Sequence, residues 1–188
     1  MYANRRELMK TVCAATIITI FSSAAFAQAP QMPKPGAEHE YLQKSVGTHT
    51  GIMKVWPAGP KSDPIEMPFK ETNKAIHNGF WVESLFESGP YKGRGMSGFD
   101  PIKKKYIGTW TSNMTPFMSV MEGTYDENKH EFTMLFKDYD HATNEVVDMK
   151  SVTVDAPEKP HTMTMYKKNK ETGEWETSFI LTYNKKDN

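Results

Sequence analysis

The side chains best equipped for chemistry in this sequence lie on short segments in which apolar and polar residues alternate. Arg94 and Glu122 each interrupt a run otherwise rich in glycine or apolar residues. An inward guanidinium beside an inward carboxylate would hold and polarise a carbonyl or hydroxyl compound. Glu71, Glu83 and Asp138 occupy comparable positions, where facing inward would perturb their pKa values. Trp81, Trp110 and Met121 are suited to the wall of an apolar cavity, because thioethers and aromatic rings adapt to ligands of different shape. His161, Met163 and Met165 alternate, so a strand would bring one imidazole and two thioethers to the same face, a soft donor set that suits copper(I). A strand alternating Met with Thr is equally what a core-facing strand with a polar outer side looks like. The binding residues favoured by the sequence are therefore Trp81, Arg94, Trp110, Met121 and Glu122, and no cofactor is predicted.

Other patterns fail on context. Gly93-Arg94-Gly95-Met96-Ser97-Gly98 satisfies G-x-G-x-x-G, yet a dinucleotide turn needs a helix to follow, and Phe99-Asp100-Pro101 heads into a hairpin. Gly93 and Gly95 share one strand face and would leave room there for a ligand or for close packing. Ser97 lacks the glycine two residues on that a nucleophile elbow requires. His39, His49, His77, His130 and His141 show no metal spacing. Glu38, His39 and Glu40 are adjacent on a helix and point in different directions, so they do not share one ion. Lys103-Lys104-Lys105 follows Asp100-Pro101 and reads as a solvated turn.

These residues need elements to position them, and the punctuation of the chain supplies them. Tyr41, Leu42 and Val46 fall at helical spacing within Glu38 to Val46, with acids in the first turn and Gly47 as the stop, which predicts one short helix. From Thr48 onward apolar residues alternate in short runs separated by turn residues, the pattern of an antiparallel meander. The predicted strands are His49 to Trp56, Pro68 to Ile76, Phe80 to Glu87, Lys92 to Phe99 and Lys105 to Thr111. They continue with Phe117 to Tyr125, Glu131 to Tyr139, Val146 to Val154, Thr162 to Lys167 and Trp175 to Asn184. His77-Asn78-Gly79, Ser88-Gly89-Pro90, Asp100-Pro101, Asp126 to Lys129 and Glu171-Thr172-Gly173 are hairpin connectors. About ten consecutive strands would leave two open edges in a flat sheet, and closure removes them. The fold class predicted is all-β, a single up-and-down meander closed into a barrel, with the helix near one mouth.

The start of the chain reads differently. Arg5, Arg6 and Lys10 precede an apolar and small-residue run from Thr11 to Phe26 that ends in Ala25-Phe26-Ala27, the form of a secretory signal peptide cleaved after Ala27. The run is shorter than a membrane span and no second one follows, so no helical span is predicted. The sole cysteine, Cys13, lies at its beginning, which excludes a lipid-attachment site and leaves the mature chain without thiols. Residues 28–36 form a Pro-rich arm, and 37–188 make one domain. Lysine plus arginine and aspartate plus glutamate both number 23. Removing the leader takes the formal balance slightly negative with the charges interspersed, which argues against nucleic acid. The expected compartment is the periplasm or the exterior of a bacterial cell.

The order of landmarks resembles the bacterial domain-of-unknown-function family 1579. The resemblance rests on Pro35-Gly36-Ala37-Glu38-His39, Val46-Gly47-Thr48, Gly79-Phe80-Trp81-Val82-Glu83 and Gly95-Met96-Ser97-Gly98-Phe99-Asp100. It continues through Lys104-Lys105-Tyr106, Trp110 and Gly123-Thr124-Tyr125-Asp126. It implies a calycin-like or lipocalin-like exported barrel and carries no established activity. Members often place an acid soon after the tryptophan, where this chain has Thr111-Ser112-Asn113. The layout is more distantly similar to fatty-acid-binding and nitrobindin-type barrels, the latter holding haem on a histidine near the last strand. Trp175 to Asn184 contains no histidine, so haem held in that manner is not expected. The functional expectation is a carrier for a small apolar or amphipathic molecule. The alternatives are a barrel enzyme using the Arg94 and Glu122 pair, or a solid-cored barrel that docks on another envelope protein through its outer face.

Overall fold

The computed structural model describes residues 33–184, with 58, 60, 141 and 142 excepted. Residues 1–27, read from the sequence as a leader, with Cys13 among them, and His141 and residues 28–32 lie outside the described residues. One short helix, α1 (Ala37–Gln43), precedes ten strands: β1 (Gly47–Val55), β2 (Ile65–Ile76), β3 (Trp81–Ser88), β4 (Tyr91–Asp100), β5 (Lys105–Ser112), β6 (Thr115–Asp126), β7 (Glu131–Asp140), β8 (Glu145–Val154), β9 (Thr162–Lys168) and β10 (Trp175–Tyr183). Every strand pairs antiparallel with its sequence neighbours, and β1 pairs with β10 to close the barrel. No helix among the described residues is long and apolar enough to cross a membrane.

The strands fall where the alternation placed them, with ends shifted by at most three residues. The helix is shorter than its pattern. It stops at Gln43, the backbone tightens through Ser45 N–H to Leu42 and Val46 N–H to Gln43, and Gly47 at φ 134° turns the chain into β1. The turns are held by their own side chains: Asp100 Oδ1 accepts the N–H groups of Ile102 and Lys103 at 2.9 and 3.0 Å, and Asp126 Oδ1 does the same for Asn128 and Lys129.

Alternation sorts each strand into an inner and an outer face. Leu42 drops from α1 onto the buried Val82, Tyr106 and Met134, so the helix seals one side of the mouth. Below, Phe69, Phe86 and Leu181 form a second buried cluster packed by Met53, Trp110, Met163 and Phe179. Phe69 stacks on Phe86 with ring centres 5.3 Å apart. Together the two clusters line the interior with aromatic and thioether side chains.

Candidate functional site

The inner face of β2 runs Met67, Phe69, Glu71, Asn73, apolar at one end and polar at the other. Its partner β1 sets His49 opposite Glu71, and Tyr183 ends β10, the strand on the other side of β1. Glu71 accepts twice, from Tyr183 Oη at 2.8 Å and from Asn73 Nδ2 at 2.9 Å. Asn73 Nδ2 also donates to the Ser45 carbonyl at 3.1 Å, and His49 Nε2 donates to the same carbonyl at 2.7 Å. The residues linking α1 to β1 are thereby tied to the barrel wall. His161, just before β9, stacks on the Tyr183 ring at 4.2 Å.

This network borders a cavity of about 930 Å³ between the C-terminal end of α1 and the β8 to β9 loop. Val82, Ser84, Ser97, Phe132 and Thr153 continue its wall. Burial, with the negative charge of Glu71 beside it, pushes the Tyr183 phenol well above its ordinary range. Tyr183 therefore stays protonated and donates to Glu71. Asn73 is only 4% exposed, and its Oδ1 is buried with no hydrogen-bond partner among the described residues. Such an orphaned acceptor costs about 1–3 kcal/mol, which a suitably placed donor would relieve.

The residues favoured from sequence separate. Trp110 and Met121 face inward: Trp110 joins the lower cluster and donates its indole N–H to Tyr91 Oη at 2.7 Å, while Met121 packs on the upper cluster. Neither borders the cavity. Trp81, Arg94 and Glu122 are on the outer face, which corrects their expected inward placement. Arg94 pairs with Glu83, and Glu122 pairs with Lys103 and Lys105, whose hydrogen bonds, and then their charges, lower the Glu122 pKa. The lysine run lies on the exposed turn that leads into β5, with Lys103 and Lys105 reaching Glu122, and the inward Arg94 and Glu122 cluster does not form.

The space over Gly93 and Gly95 is also filled from within. The Trp110 indole lies over both, and a Cβ on Gly95 would stand 2.5 Å from Trp110 Cε3. The glycines make room for that ring, not for a ligand. On the outer face Gly98 does the same for Trp81, whose Cε3 would be 2.7 Å from an added Cβ. Met163 is held in the apolar lower cluster, and His161 is engaged with Tyr183. Among the described residues no three His, Cys, Asp or Glu side chains are grouped to hold a metal.

The sequence pattern does not single out His49, Asn73 and Tyr183 as site residues, and Glu71 is one acid among several in it. A signal for them exists: Glu71 and Asn73 continue the face of Met67 and Phe69, and His49 that of Gly51 and Met53. Reading it requires the inward face of β1 and β2, which alternation alone leaves undetermined.

The comparison with known families bears on this barrel as a whole. Residues 34–185 match the model described as a protein of unknown function, DUF1579. The chain belongs to this family. The match covers the helix, all ten strands and every residue of the polar mouth, so the site is part of the DUF1579 domain itself. No match was found among curated proteins.

Proposed function

We propose that this DUF1579 protein binds a small amphipathic molecule in the cavity at the helix-bearing mouth. The observation that carries the reading is the cavity itself: about 930 Å³ of space beside two apolar clusters, with polar side chains converging on one wall. Small-molecule sites have this size and this mixture of apolar lining with a few fixed polar groups. The apolar part of a ligand would meet Tyr41, Leu42, Val82 and Phe132, and its polar part Glu71 and Tyr183. The reading of the first 27 residues as a secretory leader supports a role outside the cytoplasm. The Arg94 and Glu122 enzyme hypothesis loses its support, since neither side chain enters the barrel.

Titration with the neutral fluorophore N-phenyl-1-naphthylamine tests the proposal. Saturable one-to-one binding is expected in the native protein, with loss of binding in Ser84→Phe, which fills the cavity from β3. Far-UV circular dichroism establishes that the variant keeps its strands. Absence of saturable binding in the native protein sinks the proposal, and unchanged binding in a folded Ser84→Phe places the site elsewhere.

A further inference from the structure

The polar wall has a direction. Both hydrogens of the Asn73 amide are spent, on the Ser45 carbonyl and on Glu71. Both partners are pure acceptors, so the amide cannot be flipped, and Oδ1 is left without a partner. The Tyr183 hydroxyl spends its proton on Glu71, and His49 spends its Nε2 proton on the Ser45 carbonyl. Every donor of this network is consumed inside the protein. Asn73 Oδ1 is closed off from the cavity, and the capacity that remains at the wall is acceptor capacity: the unused lone pairs of the Glu71 carboxylate and those of Tyr183 Oη.

The rest of the lining does not reverse this. Tyr41, Ser84, Ser97 and Thr153 carry hydroxyls that serve either way, and the His161 ring, which also borders the cavity, lies stacked on Tyr183. Lys44 and Lys159 come from the end of α1 and from the β8 to β9 loop, and two acids, Asp155 and Glu158, border the cavity with them. No arginine borders the cavity among the described residues. An incoming carboxylate would meet Glu71 and an acceptor-rich wall, leaving its own lone pairs unmatched.

Resting on the reading that this cavity binds an amphipathic molecule, we propose that its inner wall is an acceptor site that selects a donor-bearing head group, a hydroxyl or an ammonium, and rejects a carboxylate. The cargo is then a long-chain or cyclic alcohol or amine rather than a fatty acid.

Displacement of N-phenyl-1-naphthylamine by decan-1-ol, decylamine and decanoate, which share one chain and differ in the head, tests this. The alcohol or the amine is expected to displace the probe at concentrations lower than decanoate by about tenfold or more, the worth of one or two unmatched polar contacts. Glu71→Gln, which presents donors where only acceptors stood, is expected to narrow that gap. Decanoate binding as tightly as the other two overturns the donor-head proposal while leaving cavity binding intact, as does a gap unchanged in a folded Glu71→Gln. Failure of the probe itself to bind removes the underlying reading instead. The native comparison needs no variant, so loss of folding in Glu71→Gln does not shield the proposal.

Discussion

At the scale of single residues, the interior is set by who occupies the space above glycine. Trp110 lies flat over Gly93 and Gly95 because neither has a side chain, and its N–H reaches Tyr91. Gly93→Ala forces that indole out of place, since the three atoms nearest an added Cβ there all belong to Trp110, and overpacking of this kind costs about 1–3 kcal/mol. Guanidinium denaturation should show the loss. The Trp110→Leu background should recover much of it, because the clash partner is gone, and a strictly additive double mutant would refute the contact as its cause. Arg94→Ala and Glu122→Ala should behave oppositely. Both charges are exposed ion-pair members, a class worth about 0–1 kcal/mol. Probe affinity should be unchanged in both variants, and a loss of binding would restore them to the site. The sequence shows these residue types but not their faces. Arg94 between two glycines draws the eye as a buried charge, whereas β4 alternates so that the glycines face in and the arginine faces out.

At the scale of elements, α1 is the smallest piece and the one that shapes the mouth. Leu42, 7% exposed, fastens it to Val82, Tyr106 and Met134, and Gln43 Nε2 donates to the Gly79 carbonyl at 2.9 Å. A helix of this length is marginal without such packing. Leu42→Ala should cost about 2–5 kcal/mol, and hydrogen exchange should speed up at α1 and the start of β1 before it does in β6 to β8. Uniform protection loss across all strands would mean that the helix belongs to the barrel's cooperative core. The meander itself is legible, since each strand carries its own alternation and five of the connectors carry their own turn residues. Where the helix ends is less so: Val46 continues the apolar spacing of Tyr41 and Leu42, yet the chain must reach β1, and the Ser45 carbonyl is taken up by Asn73 and His49 of the wall. That long-range pair of bonds leaves no trace in the local pattern.

At the scale of the whole molecule, closure concentrates tyrosines in one low-dielectric interior, and this gives the barrel a definite weakness at high pH. Burial is the first cause raising the phenol pKa of Tyr41, Tyr91, Tyr106, Tyr125 and Tyr183, with that of Tyr106 pushed up to about 12 from the ordinary 10.0. In the unfolded chain these phenols ionise near their ordinary value. Below that pH both states keep the protons and the stability from neutral burial is complete. As pH rises above it, the unfolded state releases protons that the folded state retains, so stability falls through the window between about 10 and about 12 for Tyr106. The melting temperature should therefore drop steeply across that window. Phenolate absorbance should rise in two stages, an early one from exposed tyrosines and a later one that coincides with loss of the strand signal in circular dichroism. Tyr183 should belong to the later stage, because Glu71 beside it opposes a second negative charge within the mouth. A single non-cooperative absorbance rise near the ordinary value, with the strands intact, would show that the mouth admits water freely and that its phenols are not held in the apolar surroundings described.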